Sequence, residues 1–328
     1  MNTPLKVAVF GGGSWATAIV KMLCENLPTV GWYMRSETAI DYIKEHRHNP
    51  NYLTSAEFNN NQLFLSSDVD EMVAYADLLI FAIPSAYFHD EISKATIDFK
   101  EKIIFSAIKG IVPETGLIIG EHLHKAFDVP FENIGVITGP CHAEEVALER
   151  LSYLTIACQD ESKAVLLSDF LSGDYIKCKV SDDIIGTEYA AMLKNIYAIA
   201  AGIAHGLGYG DNFQAVLMSN SIREMKRSIK KVHKMKRNIN NSAYLGDLLV
   251  TGYSTFSRNR MFGNMLGKGY TVKAAMCEMS MVAEGYYALK SAYESNKAKT
   301  PIIDTVYNIV YLKKSPKKQF KLLVDILD

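Results

Sequence analysis

Lys6-Val7-Ala8-Val9-Phe10-Gly11-Gly12-Gly13-Ser14-Trp15-Ala16-Thr17-Ala18-Ile19-Val20 is the stretch that decides the fold. An apolar run leads straight into three glycines, and the glycines lead into a helical pattern. That is strand, tight turn, helix. Gly11 stands where the turn needs a conformation closed to other residues. Gly13 lacks a side chain, so a pyrophosphate can approach the backbone, and small Ala16 lets the helix pack close to the strand. The free N–H groups of the helix start then face phosphates. The spacing G-x-G-x-x-A is an accepted variant of the dinucleotide fingerprint, and its place between a strand and a helix gives it meaning.

Outward from this turn, apolar runs recur at 30–34, 78–83, 103–105, 134–137 and 153–157, mostly with helical patterns between them. The alternation predicts a mostly parallel sheet with helices on both faces. After Val180 the texture changes. Ser181-Asp182-Asp183 reads as a helix start, and 184–208 is rich in Ala, Ile and Leu, as a helix buried on most sides would be. The rest looks helical. The expected architecture is an α/β Rossmann-type, doubly wound sheet domain over 1–182, followed by an all-α domain over 183–328. Residues 46–68, rich in Asn and Ser, read as one long loop, and such loops are often functional.

The chain has 328 residues, enough for two domains with cores of their own. A formal net charge of −1 gives no global pull toward nucleic acid or acidic membranes. The N-terminus runs directly into a strand, and no apolar stretch approaches the roughly 20 residues of a membrane span. Five cysteines without a C-x-x-C fit free thiols in a reducing cytoplasm, the expected location, and no zinc spacing is present.

Five further clusters carry chemistry. Arg35 follows the second strand, where an acid usually grips the ribose 2′-hydroxyl. It can pair with a 2′-phosphate, which favours NADPH or dual use, or it can be a solvated arginine; Glu37 weakens the first reading. Ser106-Ala107-Ile108-Lys109-Gly110 puts a lysine just past a strand, where open sheets bind ligands. Thr138-Gly139-Pro140-Cys141-His142-Ala143 repeats strand, turn and helix start. Neighbouring Cys141 and His142 point about 100° apart, which argues against a nucleophilic dyad. Lys194, with Asn195, sits among Ala, Met, Leu and Ile, either buried for a task or snorkelling to the surface. Finally, Asp247 and Thr251 share a helical face, followed by Ser257-Arg258-Asn259, whose guanidinium fork suits a phosphate.

In this order the clusters resemble the soluble bacterial glycerol-3-phosphate dehydrogenase family over about residues 5–312. The family's G-x-G-S-W-G-T-A is similar to residues 11–18, with Ala16 for a glycine. Its S-x-x-K-G resembles 106–110, and its G-P-S-x-A-x-E-V resembles 139–146, with Cys141 for serine. A-L-K-N resembles 192–195 with Met192 for alanine. A-G-I-x-D-G-L-G-x-G-D-N resembles 201–212 with His205 for aspartate. G-D-L-x-x-T then S-R-N resembles 246–251 and 257–259. V-x-E-G matches 282–285, and Asn49-Pro50-Asn51-Tyr52-Leu53 resembles an N-P-x-Y-L loop near the cofactor. Departures are Ser219-Asn220-Ser221 for Thr-Arg-Gly, Gly252 for a cysteine, and Ser36 for a second basic residue.

The resemblance implies hydride transfer between NAD or NADP, with NADPH favoured, and dihydroxyacetone phosphate or sn-glycerol 3-phosphate. It implies a homodimer and a supply of precursor to glycerophospholipid synthesis, with no nucleic-acid partner and no metal. It assigns Lys194 as the proton donor and acceptor, Lys109 as the group polarising the carbonyl oxygen, and Asp247 and Thr251 as members of their network. Gly139, Cys141, Asn195, Ser257, Arg258 and Asn259 join them around the substrate. Gly11, Gly13, Ser14, Trp15, Arg35, Tyr52, Ala143, Val282 and Glu284 would line the cofactor, with Lys109 and Arg258 reaching it. A related two-domain dehydrogenase of 2- or 3-hydroxy acids is the alternative. A non-catalytic nucleotide-binding regulator is another, disfavoured because every catalytic position is kept. The basic stretch 223–237 reads as a solvated helical face, with Met225 and Ile229 on its buried side, or as a dock for anionic lipid or protein.

Overall fold

The structure is a computed structural model that describes residues 5–279, 283–295 and 298–327. It divides into two compact units, Met1–Ile108 with Leu117–Ile184, and Lys109–Gly116 with Ile185–Asp328.

The first unit is built on eight strands: β1 (Val7–Phe10), β2 (Val30–Tyr33), β3 (Leu63–Ser66), β4 (Leu78–Phe81), β5 (Ile103–Ser106), β6 (Ile134–Thr138), β7 (Ser152–Cys158) and β8 (Ile176–Ser181). Their spatial order is β8-β7-β6-β5-β4-β1-β2-β3. The run β3-β2-β1-β4-β5-β6 is parallel throughout, as in dinucleotide-binding folds. β7 turns antiparallel to β6, and β8 runs parallel to β7. Central strands are continuous apolar runs because both faces are covered; all four residues of β1, β2 and β4 are buried. The chain leaves β1 toward β2 and β3 and later returns to β4 on its other side. That reversal opens a crevice at the carboxyl end of β1, where helix α1 (Ser14–Asn26) begins.

Two strands of this sheet lie outside the sequence reading. β3 falls inside the stretch read as one loop, 46–68. Three of its four residues are only half-buried, as suits an edge strand, and its apolar run Leu63-Phe64-Leu65 is as long as Ile103–Phe105 but follows a stretch rich in Asn. β8 reads Ile-Lys-Cys-Lys-Val-Ser, an edge pattern broken by lysines.

The second unit is helical: α8 (Ile184–Gly206), α9 (Asp211–Val232), α10 (Asp247–Tyr253), α11 (Arg258–Gly267), α12 (Val272–Glu278), α13 (Glu284–Ser295), α14 (Pro301–Val310) and α15 (Pro316–Val324). Between α1 and α8 the first unit contributes α2 (Glu37–His46), α3 (Val69–Tyr75), α4 (Ser85–Ile92), α5 (Ile119–Phe127), α6 (Ala143–Ala147) and α7 (Glu161–Leu171). α8 is buried along almost all of its length, as its composition predicts. It meets α11 through two glycine pairs. A Cβ at Gly263 would stand 2.1 Å from the Ile199 carbonyl oxygen, and one at Gly267 would stand 2.4 Å from that of Ile203. Gly202 and Gly206 approach the α11 backbone as closely. Contacts that advance four residues on both helices mean the two run parallel.

The helix expected over 223–237 stops at Val232. Glu224, Met225, Ser228 and Ile229 are buried, but Val232, next on that side, is 48% exposed. Beyond it the segment has no apolar stripe left to bury, and burial is what sustains a helix in a protein.

Candidate active site

The glycine turn takes the shape its residues require. Gly11 has φ of +138°, and a Cβ there would meet the Ala82 carbonyl oxygen at 2.6 Å. Its N–H donates to the Tyr33 carbonyl at 3.0 Å, and its own carbonyl accepts the Trp32 Nε1–H at 2.7 Å. Gly13 is the N-cap of α1, and a Cβ on it would meet nothing within 4 Å. Open space thus lies in front of a helix N-terminus with no side-chain cap, which is what a pyrophosphate needs. The observed turn fits a dinucleotide. Ser14 is buried and Trp15 half-buried in the first turn of the helix.

Asn49, in the sequence one residue of the Asn-Pro loop motif, has a larger part in the structure. It is 1% exposed. Its Nδ2 donates to the Gly12 carbonyl at 3.1 Å and to Thr17 Oγ1 at 2.9 Å. Its Oδ1 accepts the Asn51 and Tyr52 N–H groups at 3.0 and 3.2 Å. One amide ties the loop that carries Tyr52 to the glycine turn. The signal available was an Asn before a Pro, a residue type that bonds its own backbone two residues on.

Arg35 is exposed and has no hydrogen-bond or ion-pair partner among the described residues. It lines an open pocket of about 830 Å³ with Lys94, Glu37, Asp68 and Asp70. Ser36, in the place of the family's second basic residue, caps α2 by accepting the Ala39 N–H at 3.2 Å. At the next turn Gly139 has φ of +113° and lies against the backbone of Tyr153 and Leu154. Cys141 and Ala143 are buried beyond it.

In the second unit Lys194 is 4% exposed and does not snorkel. Its Nζ donates to Asp247 Oδ1 in a short ion pair, with both side chains buried. Burial holds the Lys194 ammonium far below the ordinary lysine range, at about 7. The Asp247 charge opposes this shift, and the neighbouring Lys109 ammonium adds to it. Asp247 Oδ2 is buried with no hydrogen bond among the described residues. Thr251 Oγ1 donates to the Asp247 carbonyl at 2.6 Å, fixing the first turn of α10.

Asn195 Nδ2 donates to the Lys109 carbonyl at 2.8 Å, which anchors the lysine loop to α8. Asn259 Oδ1 accepts the Gly285 N–H at 2.9 Å, and a Cβ on Gly285 would lie 2.8 Å from the Asn195 backbone. Asn195, Asn259 and Gly285 are therefore neighbours, one turn before the Ile199–Gly263 contact. Ser257 caps α11 by accepting the Arg260 N–H at 3.3 Å. Arg258 is half-buried and has no hydrogen-bond or ion-pair partner among the described residues. Glu284 opens α13. Val282 lies outside the described residues.

A Rossmann unit joined to a helical unit with a buried lysine of lowered pKa defines a dinucleotide-dependent dehydrogenase. The profile described as NAD-dependent glycerol-3-phosphate dehydrogenase N-terminus matches residues 6–164, and its C-terminus counterpart matches residues 183–321. The NAD(P)+ glycerol-3-phosphate dehydrogenase of Macrococcus caseolyticus is 35% identical over 312 residues, 94% of each chain. That of Staphylococcus aureus is 33% identical over 325 residues, 98% of each chain. The crystal structure of glycerol-3-phosphate dehydrogenase from Coxiella burnetii matches with a TM-score of 0.89 at 27% identity, covering 98% of this chain and 99% of that one. The chain belongs to the NAD-dependent glycerol-3-phosphate dehydrogenase family.

Proposed function

We propose that this chain interconverts dihydroxyacetone phosphate and sn-glycerol 3-phosphate, with Lys194 as the proton donor and acceptor. The observation that carries this reading is the buried Lys194–Asp247 pair with Lys109 beside it. When bound, the reduced nicotinamide cofactor supplies the hydride. The carbonyl oxygen then gains charge and needs a proton, and an ammonium with a pKa near neutrality can give it and take it back. Lys109 holds a second positive charge where the oxygen becomes negative. Asp247 orients Lys194 through Oδ1, and its Oδ2 accepts a substrate hydroxyl. Thr251 acts by positioning Asp247.

Arg258, at the start of α11, anchors the substrate phosphate with Asn259 and the Ser257 hydroxyl. Asn195, Gly139 and Cys141 complete the substrate surroundings. Residues 1–182 hold the cofactor through Gly11, Gly13, Ser14, Trp15, Tyr52 and Ala143, with Arg35 on the 2′-phosphate of NADPH. Residues 183–328, joined by the Lys109 loop, hold the substrate. Lys109, Arg258, Val282 and Glu284 border the nicotinamide by resemblance. The same resemblance supports a cytoplasmic homodimer feeding glycerophospholipid synthesis. No helix among the described residues is long and apolar enough to cross a membrane.

The test is absorbance at the nicotinamide band with dihydroxyacetone phosphate and either NADH or NADPH. Oxidation of at least one cofactor is expected. Folded, nucleotide-binding protein that oxidises neither overturns the reading, and turnover of a 2-hydroxy acid instead favours the alternative dehydrogenase.

A further inference from the structure

Residues 223–237 hold eight of the chain's 35 lysines and arginines and one of its 36 acids. The segment is strongly cationic, while the other 313 residues are net acidic. Its single acid, Glu224, is buried, and its carboxylate accepts the Ile302 and Ile303 N–H groups at 2.9 and 3.0 Å, capping α14. It is turned away from the basic side chains' outer face.

On α9 the exposed cations are Arg223, Lys226, Arg227, Lys230 and Lys231. Successive residues turn by 100°, so these five occupy one arc of about 140° over about 12 Å of helix. Glu224, Met225, Ser228 and Ile229 fill the opposite, buried arc. The packed side fixes the array in place. Exposed Lys234 and Lys236 extend it past the helix end. Lys226, Lys230, Lys231, Lys234 and Lys236 have no hydrogen-bond or ion-pair partner among the described residues. Like charges three and four residues apart repel each other on a helix. The face therefore carries an internal repulsion that a polyanion would relieve.

We propose that this face docks on the surface of an anionic bilayer. The proposal goes beyond the catalytic reading and uses none of its residues. Five of the array's cations stand on the flank of a helix packed into its unit, and a helix held down along one side does not enter the groove of a duplex. Between residues 214 and 243 there is no Phe, Tyr or Trp on which the bases of a single strand could stack. A rigid cationic face of this kind needs only an extended plane of negative headgroups. The apolar side of α9 is already buried, so nothing inserts, and the attachment is electrostatic, reversible and salt-sensitive.

The experiment is co-sedimentation of the full chain with vesicles of 60% phosphatidylcholine and 40% phosphatidylglycerol, against vesicles of phosphatidylcholine alone, in low and in high salt. Binding to the anionic vesicles alone, lost in high salt, is expected. Each lysine near such a surface contributes roughly fivefold in partitioning, so Lys226→Ala with Lys230→Ala and Lys231→Ala should weaken it about 100-fold. That variant should keep its turnover of dihydroxyacetone phosphate, since none of the three serves the reaction. Equal partitioning of parent and variant overturns the proposal, as does equal binding to neutral vesicles. Tighter capture by duplex DNA or by polyglutamate than by anionic vesicles at matched charge also overturns it. Should the variant fail to fold, the parent's salt and lipid dependence still decides.

Discussion

In the proposed mechanism Lys194 is the residue on which the chemistry turns. Lys194→Ala removes a proton donor and a charge aimed at the developing oxyanion. The expected loss in kcat is on the order of 10²–10⁴, with the dissociation constant for NADH nearly unchanged. Near-normal kcat would refute the assignment. The pH dependence has a definite sign. Reduction consumes the ammonium form, which dominates below the lysine's pKa of about 7, so the reductive rate should fall as pH rises through neutrality. Oxidation consumes the free amine and should rise over the same range. Asp247 pulls that pKa upward, so Asp247→Asn should move both profiles to lower pH. Profiles unmoved by this change would separate Asp247 from the titration. In the same proposal Arg258 holds the phosphate end of the substrate. Charge-assisted bonds from a guanidinium contribute about 1.5–3 kcal/mol, and lysine restores the charge without the fork. Arg258→Lys should therefore recover only part of the loss in kcat/KM seen for Arg258→Ala. Free phosphite should activate the parent on a substrate lacking the phosphate group; an equal response from Arg258→Ala would mean the anion is held elsewhere.

Among the elements, α8 and α11 set the geometry of the helical unit. Their glycine contacts keep two parallel backbones in register, so Asn195 and Asn259 meet at Gly285. A Cβ at Gly263 would lie 2.1 Å from the Ile199 carbonyl oxygen, a backbone atom with no room to yield. Gly263→Ala should cost roughly 1–3 kcal/mol in urea denaturation and lower kcat, because the spreading reaches the turn that follows Lys194. Unchanged stability and rate would show that the close approach is not needed. This also marks what was legible in the sequence. The β1 turn was readable because its signal is local: four apolar residues, three glycines, then a helical period. Gly202 and Gly206, or Gly263 and Gly267, are spaced by four, but nothing local says which helix each pair meets. β8 was unreadable for the opposite reason, since lysines break its apolar run, whereas β3 carries the run Leu63-Phe64-Leu65 and was masked only by the Asn- and Ser-rich residues before it. Asp247 stands 53 residues from Lys194, and its pairing came from the family resemblance, not from any period in the chain.

At the scale of the whole molecule, the buried ion pair sets stability against function. Desolvating two charges costs more than a good ion pair usually returns, and the lowered Lys194 pKa is the mark of that cost. Folded protein binds the Lys194 proton less tightly than the unfolded chain, whose lysine keeps the ordinary value of 10.5. Between about 7 and 10.5 the unfolded state holds more protons, so this group's contribution to stability should improve as pH rises across that window. Removing one partner strands the other. Lys194→Met leaves a buried carboxylate, and Asp247→Leu leaves Lys194 with only Lys109 beside it, so each change should destabilise by about 3–5 kcal/mol in urea denaturation. Replacing both together removes both desolvated charges. Lys194→Met with Asp247→Leu should return to within about 1 kcal/mol of the parent or exceed it, with turnover abolished and NADH binding kept. That outcome would mean the pair is retained for proton transfer and not for folding. A double variant as unstable as the sum of the two single ones would instead mean that Lys194 and Asp247 are not energetically coupled, each supporting the fold through other neighbours.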